Sequence, residues 1–296
     1  MSIETPALNH AATTPRVIKE GQALREFIQS QRRSGRTVGL VPTMGALHEG
    51  HLSLIDAARA ECDLAVATIF VNPTQFAPHE DLNKYPRDLN KDLLLLGGRG
   101  CEVVFAPSVE EMYPDGDTTS VDVGPLGQAL EGAFRPTHFR GVATIVLKLF
   151  QLAPADRAYF GRKDYQQTLV IRRMVDDLKI PIELRICPII REPDGLAMSS
   201  RNAYLSADER RRALSLSQAL RRAQQMATDG ERSVATIEHE IREIFKAGGV
   251  DVQYIAFVAD GTVTPVTTIA GPTTVAIAAV VGKTRLIDNV RIGAGG

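Results

Sequence analysis

The chain has 296 residues, 44% of them hydrophobic, which is enough apolar material for two packed domains. Its 34 basic and 35 acidic residues leave a formal net charge of -1, which excludes a nucleic-acid-coating surface but allows a local phosphate site. Three cysteines, Cys62, Cys101 and Cys187, with no Cys-x-x-Cys pair, argue against a disulfide framework or structural zinc and suit a reducing, cytoplasmic setting.

Residues 1–15 mix Thr, Ala, Asn and Pro without a period and read as a flexible lead. They lack the basic region and apolar run of a secretory leader, and no apolar stretch approaches a membrane span. Helical spacing follows over 18–31. A β-rich run over 37–41 ends at Pro42, and a loop then leads into a helix over 50–60. The run AVATIFV over 65–71 is a second buried strand, stopped by Asn72-Pro73. A helix over 89–96, a strand over 102–105, a helix over 141–152 and a strand over 157–160 follow. A helix over 164–178 and a strand over 182–186 complete the series. Strands without polar alternation, separated by helices, predict a doubly wound, Rossmann-like parallel sheet. Its ligand site is expected beyond the carboxyl ends of the strands. From about residue 190 the texture changes to two charged helices, over 206–227 and 233–246, and three β-rich runs, over 252–258, 273–281 and 285–290. The predicted organisation is the lead (1–15), a nucleotide-binding domain (16–189) and a smaller α+β domain (190–296).

Four segments carry chemistry. Pro42-Thr43-Met44-Gly45-Ala46-Leu47-His48-Glu49-Gly50-His51 joins a buried strand to a helix. A helix amino end offers free N–H groups and a positive dipole to phosphate, and two imidazoles three residues apart share one face. Gly50 leaves room for a base or ribose. His-Glu-x-His is not the His-Glu-x-x-His of a zinc protease; the alternative is a capped turn with two surface histidines. Ala197-Met198-Ser199-Ser200-Arg201-Asn202 offers two hydroxyls and a guanidinium to a polyphosphate, or else a helix-capping serine pair. Phe160-Gly161-Arg162-Lys163-Asp164-Tyr165-Gln166-Gln167 ends a strand and opens a helix. Lys163 can neutralise phosphate, and Asp164 can take ribose hydroxyls or cap the helix. Asn72 and Gln75, after the second strand, are uncharged amides that suit hydroxyls and a carboxylate that must stay reactive; the alternative is turn chemistry.

His-x-Gly-His after a first strand, with Met-Ser-Ser a domain length later, resembles the two-part signature of the HIGH-type nucleotidylyltransferase superfamily. The leading Lys of that second motif is Ala197 here, which shifts its charge to Arg201 or Lys163. Seven stretches go further: VPTMGALHEGH, IFVNPTQF, DLNKYPRD, EGAFRPTHFRGV, FGRKDYQQ, REPDGLAMSSRN and GKTRLIDNV. In their order, from Val41 to Val290, the chain resembles the pantoate–β-alanine ligase family. One departure is Arg162, where the family usually has Glu; Arg162 is expected to point outward.

The resemblance implies a homodimeric ligase that activates pantoate with ATP to a pantoyl adenylate and joins it to β-alanine, giving pantothenate, AMP and pyrophosphate. It implies that His48, His51, Lys163, Ser199, Ser200 and Arg201 carry catalysis on the phosphates. Met44, Gly45, Gly50, Gly161, Asp164 and Met198 would complete the ATP site. Pro42, Met44, Gln75 and Gln167 would hold pantoate, with Asn72 and Tyr85 on the β-alanine side and Arg135 and His138 lining the site. Mg²⁺ would be bound through the ATP phosphates, with no protein ligand. The loop over 74–85 is expected to act as a lid that shields the anhydride from water. The rival expectations are another HIGH-type nucleotidylyltransferase, which never releases AMP, and a non-catalytic nucleotide sensor. No nucleic-acid or membrane partner is expected.

Overall fold

The computed structural model describes residues 14–77, 80 and 82–293. All but the last two residues of the expected lead lie outside these, as do residues 78, 79 and 81 of the expected lid. Six parallel strands form one sheet: β1 (Arg16–Ile18), β2 (Val38–Thr43), β3 (Leu64–Ile69), β4 (Val103–Phe105), β5 (Arg157–Gly161) and β6 (Glu183–Cys187). Their order is β1-β4-β3-β2-β5-β6. Adjacent residues of β2 go to opposite faces, and both faces are covered. Leu40 packs with Leu24 and Ile28 of α1 (Gly21–Arg33) and with residues of α6 (His138–Leu152) and α7 (Tyr165–Asp177). Val41 packs on the other face with Leu52, Ile55 and Ala58 of α2 (Glu49–Glu61) and Leu96 of α3 (Leu89–Gly98). Each such buried Leu or Ile contributes roughly 1.5–3 kcal/mol, so the alternation sets which face every helix covers.

The chain runs from β2 outward through β3 to β4, then returns and continues on the other side through β5 to β6. The two directions part between β2 and β5, and an open parallel sheet has its crevice beyond the strand ends at such a point.

Two details depart from the sequence reading. Residues 16–18 are an edge strand beside β4, and α1 starts only at Gly21, not at 18. Three residues are too few to show a period, and their strand character comes from pairing with Val103–Phe105. Pro42 lies inside β2 instead of ending it. At that register β2 pairs only with β3, because pairing with β5 is confined to Gly39 and Leu40, so the missing N–H breaks no ladder bond.

The C-terminal unit has two helices, α8 (Ala207–Thr228) and α9 (Val234–Ala247), on an antiparallel sheet of β7 (Asp251–Ala259), β8 (Thr273–Val281) and β9 (Thr284–Ile292). Ser206 and Glu209 form a reciprocal capping box that starts α8. This unit has its own core, with Leu216, Leu220, Ile237, Ile241, Val275 and Ile277 buried together. Short helices α4 (Val109–Met112) and α5 (Glu131–Phe134) lie in the long connection before α6. Among the described residues no helix is long and apolar enough to cross a membrane.

Candidate active site

The turn after β2 is shaped from a distance. Gly45 (φ 81) and Ala46 (φ 51) are both left-handed. The carboxylate of Asp92, on α3, accepts from Ala46 N at 3.0 Å and Leu47 N at 2.9 Å. Asp92 is 2% exposed, and burial raises its pKa despite those two N–H donors. His48 then caps α2, its Nδ1 accepting from Gly50 N at 3.1 Å. That bond leaves the ring proton on Nε2, where it can be donated. The space above Gly50 is filled by this ring: a Cβ there would lie 2.9 Å from His48 Cε1. His51 stacks 4.1 Å from His48, and its Nδ1 is buried without a partner among the described residues. Burial, then Lys163, lowers the His48 pKa to about 4. Burial, then His48 and Lys163, lowers that of His51 to about 3. Both rings are therefore neutral donors at pH 7.

The segment after β3 folds into a 3₁₀ turn, Pro73–Gln75. Asn72, expected on the β-alanine side, has its amide fully engaged inside the fold. Its Oδ1 accepts from Tyr113 OH (2.8 Å), Thr74 Oγ1 (3.0 Å) and Thr74 N (3.3 Å). Its Nδ2 donates to Gly141 O and Gln75 Oε1, each at 3.2 Å. Gly141 is required there, because a Cβ would come within 2.5 Å of Thr74 O. Gln75 Nε2 points at Met44 Sδ, 2.8 Å away, which joins the two candidate pantoate residues. Arg135 and His138 converge on the carbonyl of Gln75, with Arg135 Nη2 at 3.3 Å and His138 Nδ1 at 3.0 Å. Burial, then Arg135, lowers the His138 pKa to about 4, so Nδ1 carries its proton and Nε2 faces Arg135 Nη1 at 3.2 Å. Glu80 clasps Arg135 through both carboxylate oxygens, at 2.6 and 2.7 Å. The loop over 74–85 is thus anchored through both Gln75 and Glu80.

After β5, Asp164 stands at the cap position of α7 but accepts no capping bond, so the helix-cap alternative does not describe it. Arg162 was expected to point outward. It instead crosses to the C-terminal unit, where Nη2 donates to Asp260 Oδ1 at 2.7 Å and Thr274 Oγ1 at 3.0 Å. The acid in the turn just after β7 drew it in, which local sequence does not reveal. Opposite lies a strap over 190–204. Its hairpin is closed by pairing of Arg191 with Ala197 and by Glu192 N donating to Leu196 O. Ser199 caps the 3₁₀ turn Ser200–Tyr204, accepting from Arg201 N at 3.3 Å, which leaves its hydroxyl proton free to donate. Ser200 Oγ lies 3.4 Å from the OH of Tyr85.

A cavity of about 960 Å³ separates the two units and is lined by Arg135, His138, Lys163, Asp164, Gln167, Ser199 and Arg201. A second, of about 360 Å³, is lined by His48, Met198 and Ser199, so Ser199 borders both. These are ordinary sizes for small-molecule sites. Pro42, Met44, Gly45, Gly50, His51, Asn72, Gln75, Tyr85, Gly161 and Ser200 line neither. Among the described residues no three His, Cys, Asp or Glu side chains converge to hold a metal ion.

Residues 16–291 match the family model described as pantoate-beta-alanine ligase. The chain belongs to that family. Pantothenate synthetase from Moorella thermoacetica is 52% identical over 269 residues, covering 90% of this chain and 95% of the relative. That from Thermotoga neapolitana is 50% identical and covers 94% and 100%. The crystal structure of pantothenate synthetase from Thermus thermophilus superposes with a TM-score of 0.88 at 45% identity, covering 93% of this chain and 98% of that one. The pantoate–β-alanine ligase from Francisella tularensis, solved with a β,γ-ATP ligand and β-alanine, gives 0.78 at 33%, covering 93% and 97%. Within this ligase fold, sequence reasoning missed Asp92, the buried Glu131 that pairs with Arg285 and Tyr254, and Asn289. Each is a polar residue whose partners lie far along the chain. The only sequence signal was that Glu131 and Asn289 fall inside long matched stretches.

Proposed function

We propose that the crevice at the ends of β2, β3 and β5 binds ATP, pantoate and β-alanine, and that the chain joins the two acids into pantothenate through a pantoyl adenylate. The observation that carries this reading is the cavity facing the strap in a chain of this ligase family. There the side chains of Lys163, Asp164 and Gln167 make no hydrogen bond among the described residues.

ATP lies with its phosphates at the amino end of α2. His48 donates through Nε2, while Lys163, Ser199, Ser200 and Arg201 hold the phosphates from the other side. His51 backs His48 in the same phosphate site. Met44, Gly45, Gly50, Gly161 and Met198 frame the nucleotide, and Asp164 takes the ribose hydroxyls. Gln75 and Gln167 hold pantoate against Pro42 and Met44, and Tyr85 lies on the β-alanine side. Arg135 and His138 set the Gln75 backbone. Asn72 sets the same turn, as its engaged amide supports.

A pantoate carboxylate oxygen attacks the α-phosphorus and expels pyrophosphate. The amine of β-alanine then attacks the acyl carbon. A C–N bond forms, the acyl C–O bond breaks, AMP leaves with the bridging oxygen, and the nitrogen gives up a proton to solvent. Because the amides that hold pantoate are uncharged, its carboxylate stays nucleophilic. The neutral imidazoles add donors without excess charge, and Lys163 supplies the cation where negative charge grows. No protein nucleophile takes part; orientation supplies much of the rate. Mg²⁺ bound through the ATP phosphates, with no protein ligand, would supply charge neutralisation for the pyrophosphate.

The same reading makes the enzyme a cytoplasmic homodimer, with residues 16–189 as its nucleotide-binding domain and 190–296 as the smaller one. The test is AMP release from ATP, Mg²⁺ and pantoate, with and without β-alanine. Strong release only with β-alanine is expected. Pyrophosphate without AMP in the complete mixture contradicts the second step, and ATP binding without turnover contradicts both.

A further inference from the structure

The matched stretch Gly282-Lys283-Thr284-Arg285-Leu286-Ile287-Asp288-Asn289-Val290 is not used by the reaction just described. Two of its neighbouring residues on β9 nevertheless reach the two phosphate-facing segments. Asn289 is 2% exposed, and its Nδ2 donates to the carbonyls of Arg162 and Lys163, each at 3.0 Å. The other end of that amide, Oδ1, is buried without a partner among the described residues, so the two carbonyls set its orientation. Asp288 takes Arg191, at the base of the strap, with both carboxylate oxygens, at 2.6 and 3.0 Å, and accepts Asn289 N at 2.8 Å. The Arg162 side chain adds a third hold on the Lys163 turn through Asp260 and Thr274. The Lys163 ammonium has no hydrogen-bond partner among the described residues. Its place over the crevice is therefore set by its backbone, which the C-terminal unit holds.

We propose that Asn289 is a positioning residue for adenylate formation: it sets Lys163 against the phosphates by gripping the turn that bears it, while Asp288 sets the opposing strap through Arg191. A long ammonium side chain on a loose turn samples many rotamers, and a misplacement of about 1 Å costs about a hundredfold in rate. Replacing Asn289 also leaves two carbonyls unsatisfied, which loosens the turn further.

This rests on the role given to Lys163 above, and a double-mutant cycle separates the two. Pyrophosphate formation from MgATP and pantoate is followed in a single turnover for Asn289→Ala, Lys163→Ala and the double variant. Asn289→Ala is expected to slow the step about ten- to a hundredfold at saturating substrates, with the pantoate requirement changed less than about twofold. In the Lys163→Ala background the same replacement is expected to change the rate less than about twofold. Equal losses in both backgrounds overturn the proposal, because they mark a general structural defect. A slow Lys163→Ala enzyme with a parental Asn289→Ala rate overturns the proposal alone; a parental Lys163→Ala rate overturns it together with the role of Lys163. If Asn289→Ala does not fold, Arg162→Gln removes a hold on the same turn without emptying a buried site. Its expected loss is about three- to tenfold, again absent without Lys163, and an undiminished loss there overturns the proposal.

Discussion

Gly50 occupies the second position of α2, under the ring that caps that helix. A Cβ built there meets His48 Cε1 at 2.9 Å and Nδ1 at 3.0 Å. Carbon contacts settle near 3.5–4.0 Å, so Gly50→Ala displaces the imidazole by roughly half an ångström or more. The backbone at 50 is not left-handed, so alanine meets no conformational strain. Helix propensity favours the alanine by up to about 1 kcal/mol, and the disturbed cap costs about as much, so stability should change little. The rate should not be spared. If about 1 Å costs a hundredfold, half of that costs about tenfold on an exponential scale. Rapid-quench measurement of pyrophosphate from ATP and pantoate, beside a thermal melt, reads both effects. The expected result is about a tenfold slower first step with a melting temperature within a few degrees of the parent. A parental rate refutes the idea that the His48 ring position matters. A large loss of stability shows instead that the ring holds the helix more than it presents Nε2.

Lys163→Ala should slow adenylate formation by about a hundredfold or more, the scale for losing a charge contact made in the transition state; near-parental turnover in the same quench assay removes Lys163 from the mechanism. Gln75→Ala should raise the pantoate requirement more than the ATP requirement in steady-state titrations, and the reverse pattern reassigns Gln75 to the nucleotide. The pH dependence follows from His48 and His51, whose folded pKa values of about 4 and 3 lie below the ordinary 6.5. The unfolded chain takes up protons first, so their contribution to stability is present above pH 6.5 and is lost as pH falls through the folded values. Acid titration of unfolding should show that loss. The adenylation rate should have no acid limb near 6.5, and a limb centred there contradicts neutral imidazoles as the phosphate donors.

The parallel sheet was legible because Leu40, Val41, Val66 and Ala67 belong to unbroken apolar runs, which only a sheet covered on both faces buries. The His48 turn was legible because strand, loop and helix are contiguous. What stayed hidden depends on side chains that meet across the fold. Asp92 reaches Ala46 and Leu47 from 46 and 45 residues away, and nothing local marks it as different from an exposed helix acid. Asn289 reaches Lys163 over 126 residues. Asn72 offers the reverse case: its chemistry suited a ligand, but Tyr113, Thr74, Gln75 and Gly141 consume the whole amide. A residue type shows what a side chain can bond, and only the packed fold shows which bonds are already made.

The adenylate route requires a pantoate carboxylate oxygen to attack the α-phosphorus of ATP. Pantoate labelled with ¹⁸O in its carboxylate tests it most directly, with the products of a complete reaction containing β-alanine and MgATP read by mass spectrometry. One ¹⁸O should appear in AMP, one should remain in the amide carbonyl of pantothenate, and none should enter pyrophosphate. Unlabelled AMP, or label in a phosphate other than that of AMP, would contradict the adenylate route.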